Sequence, residues 1–122
     1  MKSGLRYHHI GIPTTIRREG EEYLAEYKVF ASGFDSSPFG VEWLRFEPDC
    51  PLPDLVKTVA HVAFVVDDLQ EAIEGEQVLI QPNRPSSGVT VAFIVHIGAP
   101  VEFLQFDDPE LEAWPGGASY SG

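Results

Sequence analysis

The sequence predicts an α+β fold built from two tandem βαβββ modules, the first of them abbreviated, and three observations carry that prediction. His9-Ile10-Gly11-Ile12 recurs 52 residues later as His61-Val62-Ala63-Phe64. Gly40-Val41-Glu42-Trp43-Leu44-Arg45-Phe46-Glu47 recurs 60 residues later as Pro100-Val101-Glu102-Phe103-Leu104-Gln105-Phe106-Asp107, with Val, Glu, Leu and Phe at matching places. Within each copy, β-rich runs flank a stretch with helical apolar spacing, and a repeat of such a unit decides the architecture. The His and Glu of the first copy lie 42 − 9 = 33 positions apart and those of the second 102 − 61 = 41, so the copies share their ends and differ in the middle. The chain is read as one domain over 1–122, with a first module over 5–47 and a second over 58–107. A connector over 48–57 is marked by Pro48, Pro51 and Pro53, and a loosely held tail over 108–122 is rich in Gly, Ala and Ser.

The elements follow in order. Residues 8–13 form a β-rich run of strand length. Ile16, Tyr23, Leu24 and Tyr27 stand at i, i+7, i+8 and i+11, one apolar stripe that predicts a helix across Gly20. Strands are expected over 28–32 and 41–46, separated by a turn-rich loop over 35–40, so this copy lacks a strand or has a very short one. In the second copy a strand is expected over 58–66. Asp68 and Glu71 then have capping-box spacing, Leu69, Ala72 and Ile73 share a helical face, and Gly75 can end the helix. Three strands follow over 77–81, 89–97 and 101–106, the first two separated by a loop over 82–88.

Eight Lys and Arg stand against 19 Asp and Glu, so the formal charge is 8 − 19 = −11. Phosphate affinity needs clustered Lys and Arg, so nucleic acid and anionic membrane surfaces are not expected partners. No apolar run approaches the length of a membrane helix, and residues 1–9 lack the apolar core of a signal peptide; the expectation is a cytoplasmic protein. Cys50 sits among prolines and is expected neither in a disulfide nor as a nucleophile. Asp107, Asp108, Glu110 and Glu112 read as a solvated acidic cluster, and Arg45 and Arg84 as surface residues.

The chemistry lies in the repeated His and Glu. Strand pleating puts Glu42 on the face of Leu44 and Phe46, and Glu102 on the face of Leu104 and Phe106. A carboxylate in an apolar row needs a cation, a hydrogen-bonding partner or a raised pKa. His9, on the face of Tyr7, Gly11 and Pro13, and His61, on the face of Val59, Ala63 and Val65, are suitable partners. If the two modules pack about a pseudo-twofold axis, His9, Glu42, His61 and Glu102 surround one point. That is a mixed nitrogen and oxygen ligand set suited to Zn, Ni, Co, Fe or Mn. His8 and His96 have no histidine counterpart in the repeat and read as ordinary hydrogen-bonded residues.

Taken together, Tyr7-His8-His9-Ile10-Gly11-Ile12, His61-Val62-Ala63-Phe64-Val65-Val66-Asp67-Asp68-Leu69 and Pro100-Val101-Glu102-Phe103-Leu104 resemble the vicinal oxygen chelate superfamily over nearly all of residues 5–108. This is the group of glyoxalase I, bleomycin-resistance proteins and type I extradiol dioxygenases. The resemblance implies a cupped, barrel-like mixed sheet with helices outside and metal ligands at His9, Glu42, His61 and Glu102. A set of two His and two Glu resembles the glyoxalase-like lyase and isomerase branch. There a divalent metal chelates two neighbouring oxygens of a small substrate, and Glu42 or Glu102 serves as ligand and base. It also implies a homodimer. The chain is shorter than typical glyoxalases in its first module and has no residue cluster suited to glutathione. The alternative is a metal-free binding protein of the bleomycin-resistance type, its cup lined by Phe30, Phe39, Trp43 and Phe93.

Overall fold

The computed structural model describes residues 4–108. Its strands are β1 (Arg6–Pro13), β2 (Glu22–Leu24), β3 (Val29–Ser32), β4 (Val41–Phe46), β5 (His61–Val65), β6 (Gln77–Ser86), β7 (Val89–His96) and β8 (Ala99–Phe106). Helix α1 (Asp54–Thr58) precedes β5 and α2 (Leu69–Ile73) follows it. All eight strands form one curled sheet in the order β2-β3-β4-β1-β5-β8-β7-β6. Counted outward from the centre, one half runs β1, β4, β3, β2 and the other β5, β8, β7, β6, so the halves have the same topology. β1 pairs parallel with β4 and β5 parallel with β8, while β1 and β5 meet antiparallel at the centre, as a twofold axis between them requires. The α+β class and the cupped, half-barrel mixed sheet are as the sequence leads one to expect.

The alternation of side chains fixes what each face does. On the outer face, Leu69 and Ala72 of α2 pack with Val66 against Ala92, Ile94 and Phe103. On the inner face Ala63, Val89, Val91 and Leu104 pack together with Phe106 against them. Helix α2 starts as its sequence predicts: the Asp68 carboxylate accepts from the Glu71 backbone N–H at 3.2 Å, and Gly75 takes a left-handed φ of 76° just past the helix end.

Four expectations are corrected. The helix across residues 16–27 does not exist: Gly20 sits at φ 82° within a turn, and Tyr23 and Leu24 lie in β2 instead. The apolar stripe is used across a hairpin, where Tyr23 stacks on Phe30 at 4.6 Å and donates its hydroxyl to Glu47. The first half therefore has all four strands, the three-residue β2 being the very short one expected, and lacks the helix. Thr58, read as the start of a strand, closes α1, and its hydroxyl bonds back to the Asp54 carbonyl at 2.9 Å. β6 continues through the expected loop to Ser86, and its register against β7 shifts three times. It can hold Pro82 and Pro85 because it is an edge strand whose ladder is needed on one side only. Finally, Tyr7 and His9 do not share a face, because the β1–β5 register shifts between them. Tyr7 turns outward and donates to the Phe39 carbonyl at 2.7 Å.

Glu110, Glu112 and most of the tail lie outside the described residues. Asp107 is paired, accepting from Arg84 at 2.8 Å. Arg45 holds Glu21 through two hydrogen bonds of 2.8 and 2.7 Å and stacks on Phe30. Among the described residues no helix is long and apolar enough to cross a membrane.

Candidate metal centre

The two central strands meet where the chain has its smallest side chains. In the β1–β5 ladder Gly11 stands opposite His61, and His9 opposite Ala63. Each imidazole thus lies beside a residue that leaves it room, and at Gly11 the room is needed: a Cβ there would stand 2.3 Å from His61 Cε1 and 2.7 Å from its Nε2. Parallel pairing then sets Glu42 beside Gly11 and Glu102 beside Ala63. The topology brings all four expected residues to one region of the inner face.

Three of them converge tightly. Glu102 Oε1 lies 3.2 Å from His9 Nε2 and 3.2 Å from His61 Nε2, and the two Nε2 atoms are 3.4 Å apart. All three residues are buried. Glu42 stands further out, its Oε1 3.9 Å from His9 Nε2 and a quarter of its side chain exposed.

Electrostatics follow from this packing. Burial alone would raise the Glu102 pKa, but the hydrogen bonds from His61 and His9 outweigh it and hold the carboxyl well below the usual range. Burial pulls His9 down, yet the hydrogen bond and charge of Glu102, with Glu42 adding, leave its pKa raised. Glu42 is raised by burial first, and the Glu102 charge adds to this against the opposing histidines. The His61 Nδ1 is buried without a hydrogen-bond partner. With the hydrogen on Nε2, facing Glu102, only a lone pair is left unsatisfied there.

His8, read as an ordinary residue, belongs to the site. As the extra residue at the register shift of β1, it escapes the alternation that would send it outward. Its ring packs against Phe34 and Phe106 and its Nδ1 lies 2.8 Å from His9 Nδ1. Burial, and then the charge on His9, lower its pKa to about 4. A neutral His8 accepting at Nδ1 would keep a hydrogen on His9 Nδ1, so that the Nε2 hydrogen facing Glu102 is the one a metal would replace. The His-His dipeptide was the available signal, but alternation without a bulge hid it.

The donor set fits a divalent ion. Donors about 2.0–2.2 Å from a shared ion at tetrahedral angles are roughly 3.3–3.6 Å apart, close to the 3.2–3.4 Å seen here. His9, His61 and Glu102 could therefore bind a metal with little movement. Above them opens a cavity of about 170 Å³ walled by Leu44, Phe46, Val56, Val91 and Phe93. Of the four aromatic residues expected to line it only Phe93 does; Phe30 and Trp43 have the outer parity of their strands, under Arg45 and Arg18, and Phe39 is exposed.

The chain is similar in structure to two solved proteins. One is the hypothetical protein BH1468 from Bacillus halodurans C-125, at a TM-score of 0.64 and 22% identity over 88% of this chain and 97% of that one. The other is methylmalonyl-CoA epimerase from Mycobacterium tuberculosis, at a TM-score of 0.52 and 15% identity over 91% of this chain and 92% of the epimerase. The fold is that of the vicinal oxygen chelate proteins. No protein-family profile matches the sequence, and no curated protein matches it. At these identities the likeness carries the vicinal oxygen chelate fold and not an activity.

Proposed function

We propose that this chain is a divalent-metal-dependent, glyoxalase-like lyase or isomerase acting on a small substrate that presents two neighbouring oxygens. The observation that carries the reading is the convergence of His9 Nε2, His61 Nε2 and Glu102 Oε1 within 3.4 Å of one another at the floor of an apolar cup. His9, His61 and Glu102 are the ligands, with Glu42 in reach as a fourth, and Zn, Ni, Co, Fe or Mn suits such donors. When bound, a divalent ion supplies Lewis acidity towards the two substrate oxygens and lowers the cost of removing a proton from the adjacent carbon to give an enediolate.

The side chains divide the remaining work. Glu102, held by both histidines, is fixed. Glu42 is the base: it is less tied, its burial raises its proton affinity, and it can take a proton at one carbon and return it to the next. It also lines a second, more polar cavity with Arg18, Ser32 and Asp35, so its carboxylate communicates with both spaces. The apolar walls keep water from the reacting carbon.

Elemental analysis after reconstitution, joined to solvent deuterium exchange into α-hydroxy and α-keto compounds, tests this. Stoichiometric metal and exchange are expected in the wild type, metal without exchange in Glu42→Gln, and loss of metal in Glu102→Ala. A wild type that holds no metal sinks the enzyme reading. The apolar cup then favours the second one, a metal-free protein that sequesters a small hydrophobic molecule.

A further inference from the structure

The proposed reading leaves the substrate open, and the charges around the cup narrow it. Of the eight Lys and Arg, Lys2 lies outside the described residues, and none of the other seven lines the cavity. Arg6, Lys28, Arg45 and Arg84 are engaged with Asp67, Asp49, Glu21 and Asp107. Lys57 donates to the Cys50 carbonyl, Arg17 is exposed, and Arg18 lies over Trp43. The charged side chains that do line the cavity, apart from the histidines, are Glu42 and Glu102. At the floor a bound divalent ion would offset the two carboxylates, but an anionic substituent against the apolar wall would have no Lys or Arg lining the cavity to pair with.

Size and polarity narrow it further. A cavity of about 150 Å³ lined by aliphatic and aromatic side chains accepts benzene, and this one is about 170 Å³. Away from the floor, the polar groups at the cavity are Tyr27 and Asn83, whose side chains bond each other at 3.2 Å and tie the β2–β3 turn to β6. That bond leaves the wall little to offer a polar group, so the ligand's oxygens belong at the floor and its apolar part against the walls.

We propose that the cup takes an uncharged α-hydroxycarbonyl compound whose apolar substituent is about the size of one aromatic ring. The oxygen pair rests on the metal-dependent reading above; the charge and size of the substituent rest on the cavity alone.

Calorimetry on the full chain reconstituted with Zn²⁺ tests this with 2-hydroxyacetophenone against 3-(2-hydroxyacetyl)benzoate, which keeps the ring and the oxygen pair but carries a negative charge on the ring, with the uncharged 3-nitro compound as the control for size. The neutral compound should bind at least about tenfold tighter, and its naphthyl analogue at least about tenfold more weakly than the phenyl one. The ring carboxylate binding as tightly as the neutral compound, or the naphthyl analogue binding equally well, overturns the proposal. Leu24→Arg puts a cation at the exposed rim of the cavity and should bring the ring carboxylate to within about threefold of the neutral compound. An unchanged ratio means that charge does not exclude the anion, and the proposal fails. In metal-free protein, ethylbenzene should raise the melting temperature and benzoate should not. That outcome with no zinc uptake removes the metal reading alone and leaves the neutral, ring-sized ligand standing; no shift with ethylbenzene removes the ligand.

Discussion

Gly11→Ala is the sharpest single test of the site. The new methyl group would start 2.3 Å from His61 Cε1, 2.7 Å from Nε2 and 2.9 Å from Nδ1. Carbon atoms rest at about 3.5 Å or more, so ring or strand must give by roughly 3.5 − 2.3 = 1.2 Å. The ring has little room to retreat: it is 3% exposed and packs edge-on against Phe93 at 5.0 Å. A move of that size takes Nε2 out of its 3.2 Å contact with Glu102, and ligands need placing to within about 0.5 Å. The expected outcome is about 10–100-fold weaker metal binding and a stability loss of about 1–3 kcal/mol from overpacking. Titration with Co²⁺, read by calorimetry and by visible absorption, reports affinity and ligand geometry together. Gly75→Ala is the control. Its Cβ meets nothing within 4 Å but its φ is 76°, so it should cost about 1 kcal/mol of stability and leave metal binding unchanged. A Gly11→Ala protein with wild-type affinity and an unaltered Co²⁺ spectrum would refute the placement of His61.

Five further outcomes follow from the structure. His8→Phe removes the acceptor for His9 Nδ1–H and should weaken metal binding about tenfold, with His8→Asn recovering part of it. Because the folded His8 pKa is lowered to about 4 from 6.5, the unfolded chain binds more protons between those values, so this residue costs stability as pH falls from 6.5 to 4. The difference between wild type and His8→Phe in metal-free denaturant titrations should change by on the order of 3 kcal/mol across that window. The raised His9 pKa means that metal displaces a proton below that value; calorimetry near pH 6 in buffers of different ionisation enthalpy should show about one proton released per metal. Asp68→Ala removes the cap of α2 and should cost about 1 kcal/mol without touching the site. Ile97 and Gly98 form the two-residue β7–β8 turn at φ 47° and 79°, so Ile97→Asn should stabilise by about 0.5–1 kcal/mol by thermal melting, as a β-branched residue is unsuited to that conformation.

The sequence was informative where one face of a strand is buried and the other is not. β4 was legible to its ends, and β7 and β8 nearly so, because their inner and outer residues serve different cores. The repeat placed His9, Glu42, His61 and Glu102 together because equivalent strands occupy equivalent places about the centre. What failed was local. The spacing from Ile16 to Tyr27 satisfies a helical stripe by coincidence, but Ile16 is 69% exposed and Tyr23 faces Phe30 across a hairpin. No propensity signals the register shift at His8, since it arises from how β1 meets a strand some fifty residues away. Pro82 and Pro85 argue against a strand unless it lies at a sheet edge, and no local signal in the sequence places β6 there.

The central β1–β5 pair gives the site a mechanical meaning. His9 comes from one half of the sheet, and His61 and Glu102 from the other, so an ion held by all three would clasp the seam where the halves join. Ligand binding adds RT ln(1 + [L]/Kd) to the folded state, about 4 kcal/mol at a thousandfold excess over Kd. That increment would resist the separation of the halves in particular, since neither half alone carries the three-donor set. Exchange of the β1 and β5 amides should therefore slow on metal addition far more than exchange at the outer edges, β2 and β6. The metal would act on the fold as a rivet placed where long-range pairing is slowest to form.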